Sequence, residues 1–106
     1  MEAEYKLRVI VFREGDWWVA QILEHNLATA ARSLDLIPAE LERFLAVQIV
    51  GSLESGIKPF EDLPPAPKRF WDLYDQAAEV VPEGPRILRF PAATHATASV
   101  DARIAA

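Results

Sequence analysis

RVIVFREGDWWVAQILEHN, residues 8–26, decides the fold, because it holds two alternating runs and the turn between them. The first run, EYKLRVIVFR (4–13), sets Tyr5, Leu7, Val9 and Val11 on one face and Lys6, Arg8, Ile10 and Phe12 on the other. A period of two built from β-branched and aromatic residues predicts a strand. Glu14-Gly15-Asp16 follows, and Gly15 supplies the positive φ that a tight hairpin requires. WWVAQILE (17–24) is the returning strand, with Trp17, Val19, Gln21 and Leu23 on one side. Trp18, Ala20, Ile22 and Glu24 fall on the other. Adjacent tryptophans on a strand point to opposite sides of the sheet, so these two cannot wall one pocket.

The run ends on an acid, an imidazole and an amide. A carboxylate beside a histidine raises its pKa and suits it to general-base work. Three consecutive residues at a strand end do not converge on one point, however, and no serine or threonine motif is tied to Glu24, His25 and Asn26. The expectation is an exposed polar turn in which Asn26 bonds its own backbone. LATAARS (27–33) predicts a third strand, whose small alanines mark a close approach of a helix or another subunit.

Residues 35–56, DLIPAELERFLAVQIVGSLESG, predict the long helix. Pro38 suits its first turn, Glu40 and Glu42 sit at the positive end of its dipole, and Gly56 stops it. Ile37, Leu41, Phe44, Leu45, Gln48, Ile49 and Leu53 form one buried stripe. Ala46, Val47 and Val50 widen it, so a second surface must cover the excess, either the C-terminal region or a partner chain. A dimer or higher oligomer burying Val47, Val50 or the tail is predicted. PFEDLPPAP (59–67) is a stiff, extended connection. KRFWDLYDQAAEV (68–80) predicts a second helix, on which Trp71 and Tyr74 serve the core or anchor a partner. RILRF (86–90) predicts a short strand, and the alanine- and threonine-rich segment 91–106 reads as a tail ordered only by docking.

One domain fits 106 residues, with 51% hydrophobic and 25% charged content. Sixteen acids against eleven bases give a net charge of −5, which repels phosphate backbones and anionic lipid. The absence of cysteine excludes disulfides and thiolate chemistry. His25 and His95, in unrelated contexts, do not make a metal site, and four isolated glycines make no phosphate loop. No cofactor is expected. The start MEAEYK lacks the basic, then apolar, pattern of a signal peptide, and no apolar run is long enough to span a bilayer. A cytoplasmic protein is expected.

The order of hairpin, third strand, amphipathic helix and proline-rich exit resembles the HicB-like antitoxin domain, a β-β-β-α-β fold related to a degenerate RNase H fold. RVIVFREGDWWVAQILEHN, SLDLIPAELERFLAVQI (33–49) and GIKPFEDLPPAP (56–67) carry the likeness, with RILRF as the closing strand. The resemblance implies an α+β, two-layer β-β-β-α-(α)-β domain over 1–90, its antiparallel-rich sheet packed on one long helix. It implies no catalytic residues, and a function of neutralising a small basic RNA-cleaving toxin. Glu24, His25, Asn26, Trp71 and Tyr74 are the candidate partner surface. The alternative is a homo-oligomeric small-molecule-binding domain without a toxin, and an enzyme using His25 is a third reading. The charge balance predicts that gel shifts with duplex DNA give no complex tighter than the non-specific range of about 10⁻⁴ to 10⁻⁶ M at physiological salt.

Overall fold

The computed structural model describes residues 3–77, 79–80, 86–90 and 96–105. Its elements run β1 (Ala3–Glu14), β2 (Trp17–Ile22), β3 (Leu27–Ala31), α1 (Ile37–Glu54), α2 (Lys68–Gln76), β4 (Glu79–Val80), β5 (Arg86–Phe90) and β6 (Ala96–Ile104). The fold is mixed α+β. One sheet has the order β3-β2-β1-β6-β4, and β5 also pairs with β6. Because β1 occupies one edge of β6, β4 and β5 share the other, pairing with it one after the other and both antiparallel.

The expected hairpin forms, with Glu14 opposite Trp17 and Gly15 at φ 60°. β1 and β2 are antiparallel, as are β2 and β3. The segment expected as a tail is where the chain departs from the sequence reading. Ala96–Ile104 lies parallel to β1 from Ala3↔Ala96 to Val11↔Ile104, inside the sheet. The domain therefore runs past the expected boundary at residue 90. RILRF is a strand as expected, but it pairs with β6, and the strand that closes against β1 is β6. His95 and the rest of 91–95 lie outside the described residues.

One face of the sheet carries Leu7, Val9, Val11, Ala20, Ile22, Ala98 and Val100 against the α1 stripe Ile37, Leu41, Leu45 and Ile49. Trp18 packs partly buried on this side, with Ile22 beneath α1 as the alternation predicts. A 3-10 turn, Leu34–Leu36, precedes α1, whose first turn holds Pro38 and Glu40. Its end is fixed by Gly56 at φ 72°, with Ile57 N–H donating to the Ser52 carbonyl at 2.8 Å and Gly56 N–H to Leu53 at 3.1 Å. Leu53, placed on the buried stripe by its spacing, is exposed at this last turn.

The opposite face corrects the two-layer expectation. α2 packs there over Ile10 and Leu23, with Tyr74, Ala66, Phe12, Phe70 and Trp71 in the same cluster. Phe70 stacks on Phe12 with ring centroids 5.7 Å apart. The sheet is thus covered on both sides, making three layers. α2 covers only the apolar half of β1's second face, and Lys6 and Arg8 extend beyond it.

A chain ended after Phe90 is expected to show no cooperative urea transition, because β1 then loses one of its two neighbours. Leu45→Ala in the full chain should keep a single transition with stability lowered by about 2–5 kcal/mol, the range for emptying a buried leucine site. A cooperative transition in the shortened chain restores the tail reading.

Candidate functional site

The site begins where β2 leaves β1. The ladder's last pair is Val9↔Ile22, and Leu23 N–H still donates to the Arg8 carbonyl at 2.9 Å. Leu23's own carbonyl accepts instead from Ala66 N–H, also at 2.9 Å. Arg8 N–H therefore needs another acceptor and finds Glu24 Oε1 at 2.7 Å, while Arg8 Nε donates to Glu24 Oε2 at 2.6 Å. A side-chain carboxylate stands in for a backbone carbonyl. Strict alternation put Glu24 on the α1 side; because the strand ends at Ile22, it turns to Arg8 instead. The Arg8 guanidinium lies 4.6 Å from the centre of the Trp71 ring, and Trp71 Nε1 donates to the Ala66 carbonyl at 3.1 Å. The Arg8 side chain is 50% exposed, so its ion pair with Glu24 contributes at most about 1 kcal/mol.

His25 points elsewhere. Its ring stacks on Phe60, centroids 4.4 Å apart and planes 11° apart, and Phe60 belongs to the α1-side core. Phe60 takes φ 64°, a costly conformation for an aromatic residue, held by burial and by edge contact with Tyr5 at 5.5 Å. His25 is half-buried rather than the exposed turn residue expected, and its Nδ1 is buried without a hydrogen-bond partner. Burial lowers its pKa, opposed by the Glu24 charge and the Leu63 backbone. Asn26 is exposed, but its bonds are not to its own backbone as expected. Its N–H donates to the Pro64 carbonyl at 2.7 Å, and its Oδ1 accepts from Gln21 Nε2 at 3.1 Å. Gln21 is buried, and the same Nε2 reaches the Ile22 and Leu27 carbonyls at 3.0 and 3.2 Å.

Of the two roles expected for Tyr74, it fills that of a core residue, 4% exposed. Its hydroxyl donates to Asp101 Oδ2 at 3.0 Å, and burial raises its pKa. Arg103 lies 4.2 Å from the Tyr74 ring centre and donates to its carbonyl at 3.1 Å. Trp71 remains half-buried at the rim.

Glu24 and Trp71 thus meet through Arg8, and Tyr74 joins them through Asp101, which lies opposite Arg8 in the β1–β6 register. His25 and Asn26 do not join them. An open groove of about 390 Å³ results, lined by Lys6, Leu7, Arg8, Glu24, Ser99 and Asp101. Ser99 and Asp101 were missed by the sequence reading because they belong to the supposed tail. Their signal was the alternation ATASVDARI, with Thr97, Ser99, Asp101 and Arg103 on one face and Ala96, Ala98, Val100, Ala102 and Ile104 on the other. The groove presents the Lys6 ammonium and the Ser99 hydroxyl beside two carboxylates already engaged by Arg8 and Tyr74. Among the described residues, no group of three or more His, Asp or Glu is placed to hold a metal, and no helix is long and apolar enough to cross a membrane.

The lowered His25 pKa has a definite pH signature. Folding favours the neutral ring, so its contribution is complete above the unfolded value of about 6.5 and is lost as pH falls from there toward the lower folded value. Urea melts at pH 7 and pH 5 should therefore show a stability drop that is smaller in His25→Gln. An equal drop in both proteins places the titration elsewhere.

No protein-family model, curated protein or solved structure matches the chain.

Proposed function

We propose that the protein acts by binding another protein, in the manner of the HicB-like antitoxin domain it resembles, and that the partner is a small basic RNA-cleaving toxin met in the cytoplasm. The observation that carries this reading is the use made of the groups with chemical potential. Glu24 is bonded by Arg8, Asp101 by Tyr74, and His25 is stacked on Phe60. Each holds the fold rather than standing ready to move a proton or attack a bond, which favours a non-enzymatic role.

Two further features support it. Three strands, a long helix and a second helix follow the element order that the resemblance implies, while the strand that closes beside β1 is β6 rather than the expected RILRF. The excess of acids over bases suits a cationic partner, whose RNA-binding surface an acidic protein covers and whose approach it steers. The mechanism is steric and electrostatic.

The second reading, a small-molecule-binding domain without a toxin, draws on the groove itself, whose volume of about 390 Å³ lies within the usual range for ligand pockets. The deciding experiment takes the genes flanking this one and tests any small basic protein they encode. RNA cleavage by that protein should fall to background at one equivalent of this chain and return as salt is raised. Cleavage unaffected by a tenfold excess, or a gene neighbourhood with no such protein, overturns the antitoxin reading in favour of the groove.

A further inference from the structure

The sheet's two edges are built differently. On one side β6 is covered by the short strands β4 and β5. On the other, β3 ends the sheet, and its backbone geometry follows from the hairpin. In an antiparallel ladder, hydrogen-bonded and non-bonded pairs alternate. The two-residue loop closes on Glu14↔Trp17, and Leu23 N–H donates to Arg8, so Val19, Gln21 and Leu23 direct their backbone groups toward β1. Trp18, Ala20 and Ile22 then turn theirs toward β3, where their partners are Ala31, Thr29 and Leu27. The remaining residues of β3, Ala28 and Ala30, direct their N–H and C=O groups outward.

No described residue bonds those outward groups. Native proteins guard such an edge with proline, a bulge, a charge or a covering segment. Here the guards stop short: the proline segment reaches only Asn26, through Pro64, and the next charge is Arg32, past the end of the strand. Between them stand two alanines, Ala28 exposed and Ala30 half-buried, whose methyl groups leave the backbone accessible.

We infer that β3 pairs edge to edge with β3 of a second copy of this chain, antiparallel about a two-fold axis through Thr29. The register is dictated by which groups face outward. Ala28 meets the partner's Ala30 and Ala30 the partner's Ala28, so all four outward N–H groups in the pair find carbonyls. Thr29 meets the partner's Thr29 in the closer, non-bonded position, a favourable cross-strand pair. Leu27 meets the partner's Ala31, continuing the apolar layer beneath α1. About this axis residue i meets j as j meets i, and each outward-facing position sets a small alanine against an alanine of the second copy, so the two backbones approach without a steric block. Glu40 lies close to the axis, since Thr29 Oγ1 donates to it at 2.6 Å, but Arg43 bonds both of its carboxylate oxygens at 3.0 and 2.6 Å. The two acids therefore meet neutralised. The contact is isologous and uses the β3 edge of both copies, so the assembly closes at two.

This assembly stands apart from the toxin reading and is tested without a toxin. Analytical ultracentrifugation at tens of micromolar should give twice the chain mass of 11.9 kDa. Ala30→Pro removes an outward N–H and none of the intrachain ladder bonds, so it should sediment as a monomer with an unchanged far-UV spectrum. Val47→Asp, on the exposed flank of α1, should remain a dimer. In the wild-type protein the Ala28 and Ala30 amides should exchange with deuterium about tenfold or more slower in the dimer than after dilution to monomer. That measurement decides the matter even where the proline variant does not fold. A wild-type monomer, rapid exchange at both amides in the dimer, or a dimer broken by Val47→Asp but not by Ala30→Pro overturns the inference.

Discussion

The centre of β1 has no free side. Leu7, Val9, Ile10 and Val11 are each no more than 2% exposed, and Val9–Val11 are paired on one edge by β2 and on the other by β6. Everything else in the structure follows from closing those four directions. Leu7, Val9 and Val11 call for α1. Ile10 and Phe12, on the other face, call for a second cover, and α2 supplies it. The same face changes character at Arg8, so α2 covers only its apolar part. The groove opens where the polar residues begin. Its position is thus set by the order in which polar and apolar side chains alternate along one strand.

The proline-rich connection settles the geometry at the other end of the site. Its residues interleave with the turn between β2 and β3: Ala66 bonds to Leu23, Pro64 accepts from Asn26, and Phe60 lies under His25. Proline has no N–H to satisfy and a fixed φ, so such a segment lies against a turn at low conformational cost. By taking the Leu23 carbonyl it frees Arg8 N–H, and that vacancy is what commits Glu24 to a structural bond.

The local signals in the sequence were read well where side chains are large. Alternation in Tyr5–Phe12 and Trp17–Leu23, the apolar spacing of Ile37–Ile49, and glycine at two positive-φ positions give the hairpin, α1 and its end. RILRF matches β5 residue for residue. The segment 96–104 has an equally regular period of two, but three of its five inward residues are alanines, whose weak strand preference hides the pattern. Missing it moved the closing strand to RILRF, and it removed Ser99 and Asp101 from view. Which side of the sheet α2 would choose was also illegible, because it depends on a tertiary contact with Phe12. The turn of Glu24 toward Arg8 depends on the Leu23 carbonyl being claimed 43 residues downstream by Ala66, which no local pattern announces.

The parallel partnership of β1 and β6 also dictates an order of events on the ribosome. Ala3 pairs with Ala96, and a parallel pair cannot be made by a short turn, so β1 is synthesised long before its neighbour exists. Until then, the β1–β2–β3 meander and α1 can associate, yet β1 keeps an open edge rich in valine and isoleucine. Such an intermediate attracts strands of other chains. Completion of the sheet is therefore a late step, and it is what takes that edge out of reach of other chains.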